Sequence, residues 1–465
     1  MLFVGRLRLR LTGVVLICVL TAAPAKPVHA AGFAILEQSA STNGTALAGS
    51  GSAARDASAV WFNPAAMALV NQELLVTGHL ILPGFEYTDR GSTQQLGDGP
   101  VPLLPDAAAT RSGDENAFVP HLSYVHPLTD RWHVGVTLNT PFGLTTDYGR
   151  GWKGQYQAVL SEIVNLNLNP AVAYRVTDRL VIGAGFSVNY VDVKLTNALD
   201  FAAICAEVAG GYCPNGAVPG QGRFDGFVSN QGDSTSFGFN LGVLWEIDEW
   251  TRLGLSYRSE IDHDTKGKTD FTTPDTLGGL DALGPFLGGG LASVFTDTDN
   301  RADLTLPASS AVSFYHRLAV DRRFAIMADV EWTGWSSVPQ LRIEFDNPAT
   351  PATEVALDWQ DVWRYSLGVE FHASERWTWR AGTAFDESPA GGPSLATARL
   401  PDDDRIWLAA GASWELTPRS DIVFALAHTF VEGTAIDRAG DTGDRLRGRY
   451  ESDSTILSLG LRYEF

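Results

Sequence analysis

Apolar and polar residues alternate strictly along the C-terminal stretch. Leu457, Leu459, Leu461, Tyr463 and Phe465 share one face, and Ser458, Gly460, Arg462 and Glu464 share the other. A strand so patterned turns one face to an apolar medium and the other to a polar interior. The same two-residue period recurs in Ile422, Phe424, Leu426, His428 and Phe430, and in Trp377, Trp379, Ala381, Thr383 and Phe385. Further candidate strands lie at 74–83, 117–127, 131–141, 165–176, 179–195, 234–247, 251–263, 302–318, 322–343, 361–373 and 404–416. With 376–386, 420–432 and 454–465 the pattern predicts fourteen strands, an even number as in bacterial membrane barrels.

The connections alternate in length. Tight polar turns fall at 129–131, 177–179, 248–251, 321–322, 374–376 and 417–420, and long segments near 84–116, 143–163, 196–233, 264–301, 344–360, 387–403 and 433–453 separate them. Short turns on one side and long loops on the other are the rhythm of an up-and-down outer-membrane barrel, and a soluble sandwich has no reason to keep it. Trp132, Trp250, Trp377 and Trp414 sit beside the turns, where an interfacial aromatic girdle belongs. The fold class is therefore all-β: a transmembrane antiparallel barrel.

Residues 1–30 read as a secretory signal, with Arg6, Arg8 and Arg10 ahead of an apolar run from Leu11 to Ala23 and small residues before a cleavage point after Ala30. Beyond it no apolar run approaches the ~18 residues of a membrane helix. Of the 465 residues, 465 − 30 = 435 remain, and losing four basic residues takes the net charge from −20 to −24. So acidic a chain has no basic surface for nucleic acid. Cys18 leaves with the signal. Cys205 and Cys213 lie in one Gly-rich segment, either as a local disulfide or as two free thiols. No CxxC, HExxH, P-loop or GxSxG pattern is present, so no metal, no cofactor and no catalytic residues are expected. His316 and His428 lie on predicted strands, where filling of a polar lumen accounts for them.

Residues 31–73 do not alternate. Small residues run to Ala54, and Phe62-Asn63-Pro64-Ala65 follows, in which Pro64 forbids a regular strand. A segment that cannot be wall but precedes the first strand suits a plug (31–73) ahead of a barrel (74–465). Here the chain resembles the FadL/TodX family of outer-membrane transporters for hydrophobic compounds. The matching features are Ala31-Gly32-Phe33, Asn63-Pro64-Ala65, Asn139-Thr140-Pro141-Phe142-Gly143-Leu144, Asn165-Leu166-Asn167-Leu168, Leu400-Pro401-Asp402-Asp403-Asp404-Arg405 and the terminal Arg462-Tyr463-Glu464-Phe465.

The resemblance implies a monomer whose N-terminal hatch closes the barrel. Ligand would be captured outside, pass to an apolar pocket touched by Phe33, and leave sideways through a kink in strand 3. On that reading Asn63, Pro64 and Ala65 form the hatch turn, and Thr140, Pro141, Phe142 and Gly143 mark the gate, with Ala117 facing it. For Pro141 a plain strand end is the alternative. The implied capture loops follow strands 5 and 7. In the second, Leu277, Leu280, Leu283, Phe286, Leu287 and Leu291 recur at mostly helical spacing between glycines. In the first stand Phe201, Ile204 and Val208. Either these loops expose apolar surface or they pack on each other. Expected partners are a hydrophobic small molecule, outer-membrane lipid and lipopolysaccharide, and the barrel-assembly machinery at Phe465. A plugged porin for polar solutes and a barrel-embedded hydrolase are the rival functions.

Overall fold

A computed structural model describes residues 32–97, 99–208, 217–274 and 291–465. The wall comprises fourteen antiparallel strands. They are β1 (Glu73–Asp89), β2 (Ala117–Pro127), β3 (Trp132–Asn139, resuming at Gly143–Asp147), β4 (Leu160–Thr177) and β5 (Leu180–Asp200). β6 (Asp225–Glu246), β7 (Thr251–Arg258 and Ile261–Thr272), β8 (Thr298–Leu306 and Ser309–Arg317) and β9 (Phe324–Thr333 and Gln340–Phe345) follow. β10 (Val362–His372), β11 (Trp377–Asp386), β12 (Arg405–Thr417), β13 (Ser420–Val431, with Ala435–Ala439) and β14 (Asp444–Glu464) complete it. β1 pairs with β14 from Glu73↔Glu464 to Asp89↔Gly448 and closes the cylinder.

The predicted faces hold. Leu457, Leu459, Leu461 and Tyr463 point outward and are exposed, whereas Ser458 faces inward and is buried. Trp377 stacks on Trp379 and Trp414, and Trp132 packs on Tyr174, all beside the short turns. Two expectations fail. His316 and His428 point outward, not into the lumen: His316 stacks on Phe314, and His428 lies edge-on to Phe430. On their strands the buried positions are Ser313 and Tyr315, and Ala427 and Thr429, so the alternation itself assigns both histidines to the outer face. His79, His121, His133 and His263 are the buried ones. The stretches 302–318 and 322–343 are also not continuous strands. β8 breaks at Pro307, which has no amide to donate, and β9 breaks at a single turn of 3₁₀ helix, Trp335–Ser337.

Residues from Gly32 to Leu69 lie inside the cylinder, mostly buried. They include the short helices α1 (Ala40–Asn43) and α2 (Ala59–Phe62) and a 3₁₀ helix at Pro64–Leu69. Pro64 is its first residue, where a missing amide costs nothing, and the Asn63 side chain caps it through Ala65 N–H at 3.1 Å. Asn63 Nδ2 also donates to Gly51 O at 2.8 Å and to Val243 O on β6 at 3.1 Å. The turn fits because the wall is hollowed beneath it: a Cβ on Gly183 or Gly242 would run into Pro64 and Ala65. Further ties join segment and wall. Gly49 N–H and Ser50 Oγ donate to Asp329, both at 2.7 Å, Arg55 pairs with Glu370 at 3.1 Å, and Asn43 donates to Ser458 at 2.7 Å.

Candidate functional site

Among the described residues, the wall has a window between β2 and β3. The β2–β3 ladder runs from Pro127↔His133 to Leu122↔Leu138 and stops there. β2 continues along β1 as far as Ala117, while β3 leaves it at Thr140–Phe142 and resumes against β4 alone, from Gly143↔Val164 to Asp147↔Leu160. Above the gap the wall is rejoined by a bridge between Asp114 and Thr146. Two prolines frame the window, Pro141 in the kink and Pro120 on the β2 edge. Each lacks the amide that a ladder would use.

The kink finds its partner inside the barrel. Ile35 N–H donates to Pro141 O at 2.8 Å and Gly143 N–H donates to Phe33 O at 3.0 Å, with a bridge between Ala34 and Phe142. Residues 33–35 thus act as a short strand paired to β3 where β2 is not. Gln38 fixes the same corner: it donates to Ile35 O at 2.8 Å and Thr140 O at 3.2 Å, and accepts from Asn139 at 2.7 Å. From there an amide chain continues through Asn167 to Asn139 at 3.0 Å. The start of the segment is clamped as well. Gly32 N–H donates to Asp402 at 2.7 Å, and Arg405 holds the other Asp402 oxygen at 2.8 Å. Next in the chain, burial and the neighbouring Asp403, Glu387, Asp402 and Asp386 push Asp404 up to about 8.

Phe33 is the hub of an aromatic cluster, its ring centroid 5.0 Å from Trp335, 5.7 Å from Phe142 and 5.9 Å from Trp359. Phe33 lines two cavities, and a third adjoins the first of them. An apolar pocket of about 100 Å³ is lined by Phe33, Ile163, Val193, Leu304, Trp359 and Arg399 among others. Outward of it lies a groove of about 190 Å³ between the long loops, bounded by Phe271, Phe295, Phe345 and again Arg399. On the other side Phe33, Leu144, Ile163 and Leu400 also line a cavity of about 640 Å³ that passes through the window to Phe118 and Leu166 on the lipid-facing surface.

Arg399 is the cation shared by groove and pocket; Asp200, Asp441 and Asp444 also line the groove, Asp303 the pocket, and Glu115, Asp402, Arg405 and Asp453 the window cavity. The Arg399 guanidinium donates to Asn197 Oδ1 at 3.2 Å, Ser161 Oγ at 3.3 Å and Thr196 O at 3.4 Å. Among the described residues no carboxylate lies within ion-pair distance of it. Burial and the nearby Arg438 bring its pKa down to about 10, so at neutral pH it is a half-buried cation beside an apolar cavity.

The sequence-predicted residues divide accordingly. Phe33 lines the pocket, and Ala117, Thr140 and Gly143 line the window cavity. Pro141 and Phe142 share with Pro64 a smaller cavity of about 90 Å³, which brings the Asn-Pro-Ala turn and the kink into one space. Of the residues expected in capture loops, Leu277, Leu280, Leu283, Phe286 and Leu287 lie outside the described residues, and Leu291 opens the helix α4 (Leu291–Val294). Phe201, on the helix α3 (Phe201–Val208), is fully buried against Phe295 at 4.8 Å, so these two loop aromatics pack on each other. Cys205 is disulfide-bonded, and Cys213 lies outside the described residues. Arg399, Gln38, Trp335 and Pro120 escape the sequence reading. A lone arginine in the otherwise uncharged run Ser394–Pro401 was the available signal for Arg399.

Comparisons with known proteins agree with this geometry. The family model described as outer membrane protein transport protein (OMPP1/FadL/TodX) matches residues 21–465. A long-chain fatty acid transport protein of Escherichia coli is 28% identical over 397 residues, 84% of this chain and 85% of that one. Its Salmonella typhi counterpart is 27% identical over 414 residues, 88% of this chain and 89% of that one. Among solved structures, a Pseudomonas aeruginosa FadL homologue superposes with a TM-score of 0.82 at 25% identity, covering 94% of this chain and 100% of its own. The Pseudomonas putida toluene transporter TodX shares the fold at 16% identity, with a TM-score of 0.65 over 95% of this chain and 100% of its own. With a closed fourteen-stranded wall and a family match over nearly its whole length, the chain belongs to the OMPP1/FadL/TodX family of outer-membrane transport proteins.

Proposed function

We propose that this protein is a passive importer of long-chain fatty acids that releases its ligand sideways into the outer membrane. The observation that carries the reading is the shared lining of three cavities: Arg399 belongs to both groove and pocket, and Phe33 to both pocket and window. A ligand entering the groove would bring its carboxylate to Arg399 and its chain to the apolar walls. To go further it must move Phe33, and with Phe33 the backbone bridge that covers the kink. The N-terminal segment is then the hatch, and motion comes from a ligand-driven shift of its population rather than from an energy source. The path needs no chemical step, and the plugged lumen disfavours a porin. Two relatives are named for long-chain fatty acid transport, and TodX for toluene. Arg399 favours the acid, because a half-buried cation gains nothing from a hydrocarbon and costs part of its hydration.

Binding of a fluorescent fatty acid and of toluene to the purified protein, with Arg399→Leu alongside, tests this. A hydrogen-bonded charge is worth about 1.5–3 kcal/mol, so fatty-acid affinity should fall roughly 10- to 100-fold and weak toluene binding should not. Equal loss for both ligands would remove the carboxylate assignment. Saturable toluene binding alone would turn the reading to hydrocarbons.

A further inference from the structure

The outward faces of β5–β8 change character at one level. On β5 Ile182, Phe186 and Tyr190 are exposed and apolar, and Asp192 and Lys194 follow. On β6 Leu241, Phe239 and Phe237 give way to Asp233 and Gln231, and on β7 Leu255 and Tyr257 give way to Asp262, Asp264, Lys266 and Lys268. β8 passes from Val312 to Asp303, Arg301 and Asp299. The charges therefore begin where the apolar band ends, at the height of lipid headgroups.

The pairing register arranges them in rungs. Asp192, Asp233, Lys266, Arg301 and Glu344 stand opposite one another in succession, and beside them run Lys194, Gln231, Lys268 and Asp299. Three contacts join like charges: Asp192 faces Asp233, Lys266 faces Arg301, and Asp264 faces Asp303. Opposed like charges destabilise a sheet unless something lies between them. Lys266 pairs with Asp264 at 3.3 Å, and Lys194, Lys268 and Arg301 have no ion pair among the described residues. The concentration of lysine is unusual too. The chain has five, of which Lys26 belongs to the expected signal, and three of the other four are Lys194, Lys266 and Lys268.

We propose that this face binds the phosphorylated saccharide headgroup of an outer-leaflet glycolipid. Lys194, Lys266, Lys268 and Arg301 would take phosphates directly. Asp192, Asp233, Asp262, Asp264, Asp299, Asp303 and Glu344 outnumber them, so a bare anion is a poor match. A phosphate lattice carrying divalent cations fits both signs and relieves all three like-charge contacts.

The test is native mass spectrometry of the folded barrel in detergent with magnesium, titrated with bisphosphorylated lipid A or with phosphatidylglycerol. The variant is Lys194→Glu/Lys266→Glu/Lys268→Glu. The control, Arg131→Glu/Arg179→Glu/Arg419→Glu, makes the same charge change at exposed periplasmic turns. Heat-modifiable mobility confirms that each variant is folded. Lipid A occupancy should fall at least threefold in the patch variant alone and should also fall on chelation of magnesium, with phosphatidylglycerol unchanged. Equal occupancy in variant and control would overturn the proposal. An equal loss of phosphatidylglycerol would overturn it as well, because the patch would then be a general anion attractor.

Discussion

Two wall strands break beside Phe33, and only one break opens the wall. β3 is interrupted at Thr140–Phe142 and loses β2 as a partner over the stretch above Leu122. β9 is interrupted at Gly334–Pro339, but there the chain bows inward, Gly334 N–H is retained by Ala308 O at 2.9 Å, and Trp335 fills the space it enters. Both have a residue ill-suited to a ladder nearby, Pro141 in one and Pro339 in the other. A missing amide alone therefore does not make an opening. The opening needs a neighbour that fails to follow, and a second element, here residues 33–35, that takes the abandoned hydrogen bonds. The inward break lines the pocket, and the open one frames the window proposed as the exit.

Substitutions can separate these roles. Trp335→Ala should have the largest effect, because emptying a fully buried indole site costs about 3–5 kcal/mol. Chemical unfolding of the refolded barrel would measure it, and ligand affinity should fall with uptake in proportion. Ala117→Trp at the window should do the reverse. Uptake should drop about tenfold, which is ~1.4 kcal/mol on the barrier, while binding to the purified protein stays within twofold. If binding drops equally, the window is part of the pocket and the contrast collapses. Gln38→Ala removes the side-chain tie between segment and kink, at a cost of about 1 kcal/mol per hydrogen bond lost. Hydrogen exchange at Ile35 and Gly143 should quicken several-fold, with β9 unaffected.

The smallest effect is pH-dependent. A carboxyl raised in the folded state holds a proton that the unfolded chain has released. Stability of the loop around Asp404 is therefore greatest at low pH and declines as pH rises from the ordinary carboxylate range through about 8. Exchange protection at Gly32 should weaken between pH 6 and 9 in the native protein. Asp404→Asn should flatten that slope, and an unchanged slope would show that the neighbouring acids, not Asp404, carry it.

Much of this was legible in the sequence, and the losses have physical causes. All fourteen strands were visible because membrane and lumen impose opposite demands on neighbouring residues. Their outer ends were not. β6 begins at Asp225 rather than near 234, and β14 at Asp444 rather than 454, because above the membrane both faces are wet and the alternation fades. Phe33, Ala117 and Pro141 were singled out through the family resemblance, and the structure sets them at the pocket, the window and the kink. Arg399 and Trp335 were not, since each is defined by what surrounds it across the barrel. His316 and His428 were misassigned because polarity was weighed ahead of period.

The overhang of those strands has a consequence of its own. β6 has 22 residues, which at about 3.3 Å each and a tilt near 40° rise roughly 55 Å, about twice the apolar band. The groove is thus carried to the far end of a rigid sheet, well clear of the bilayer. Whatever the cell surface is exposed to can reshape that rim without disturbing the window below. On the proposed reading, reception and release are insulated by height, which leaves the outer loops free to diverge while the kink and the segment beneath it stay fixed.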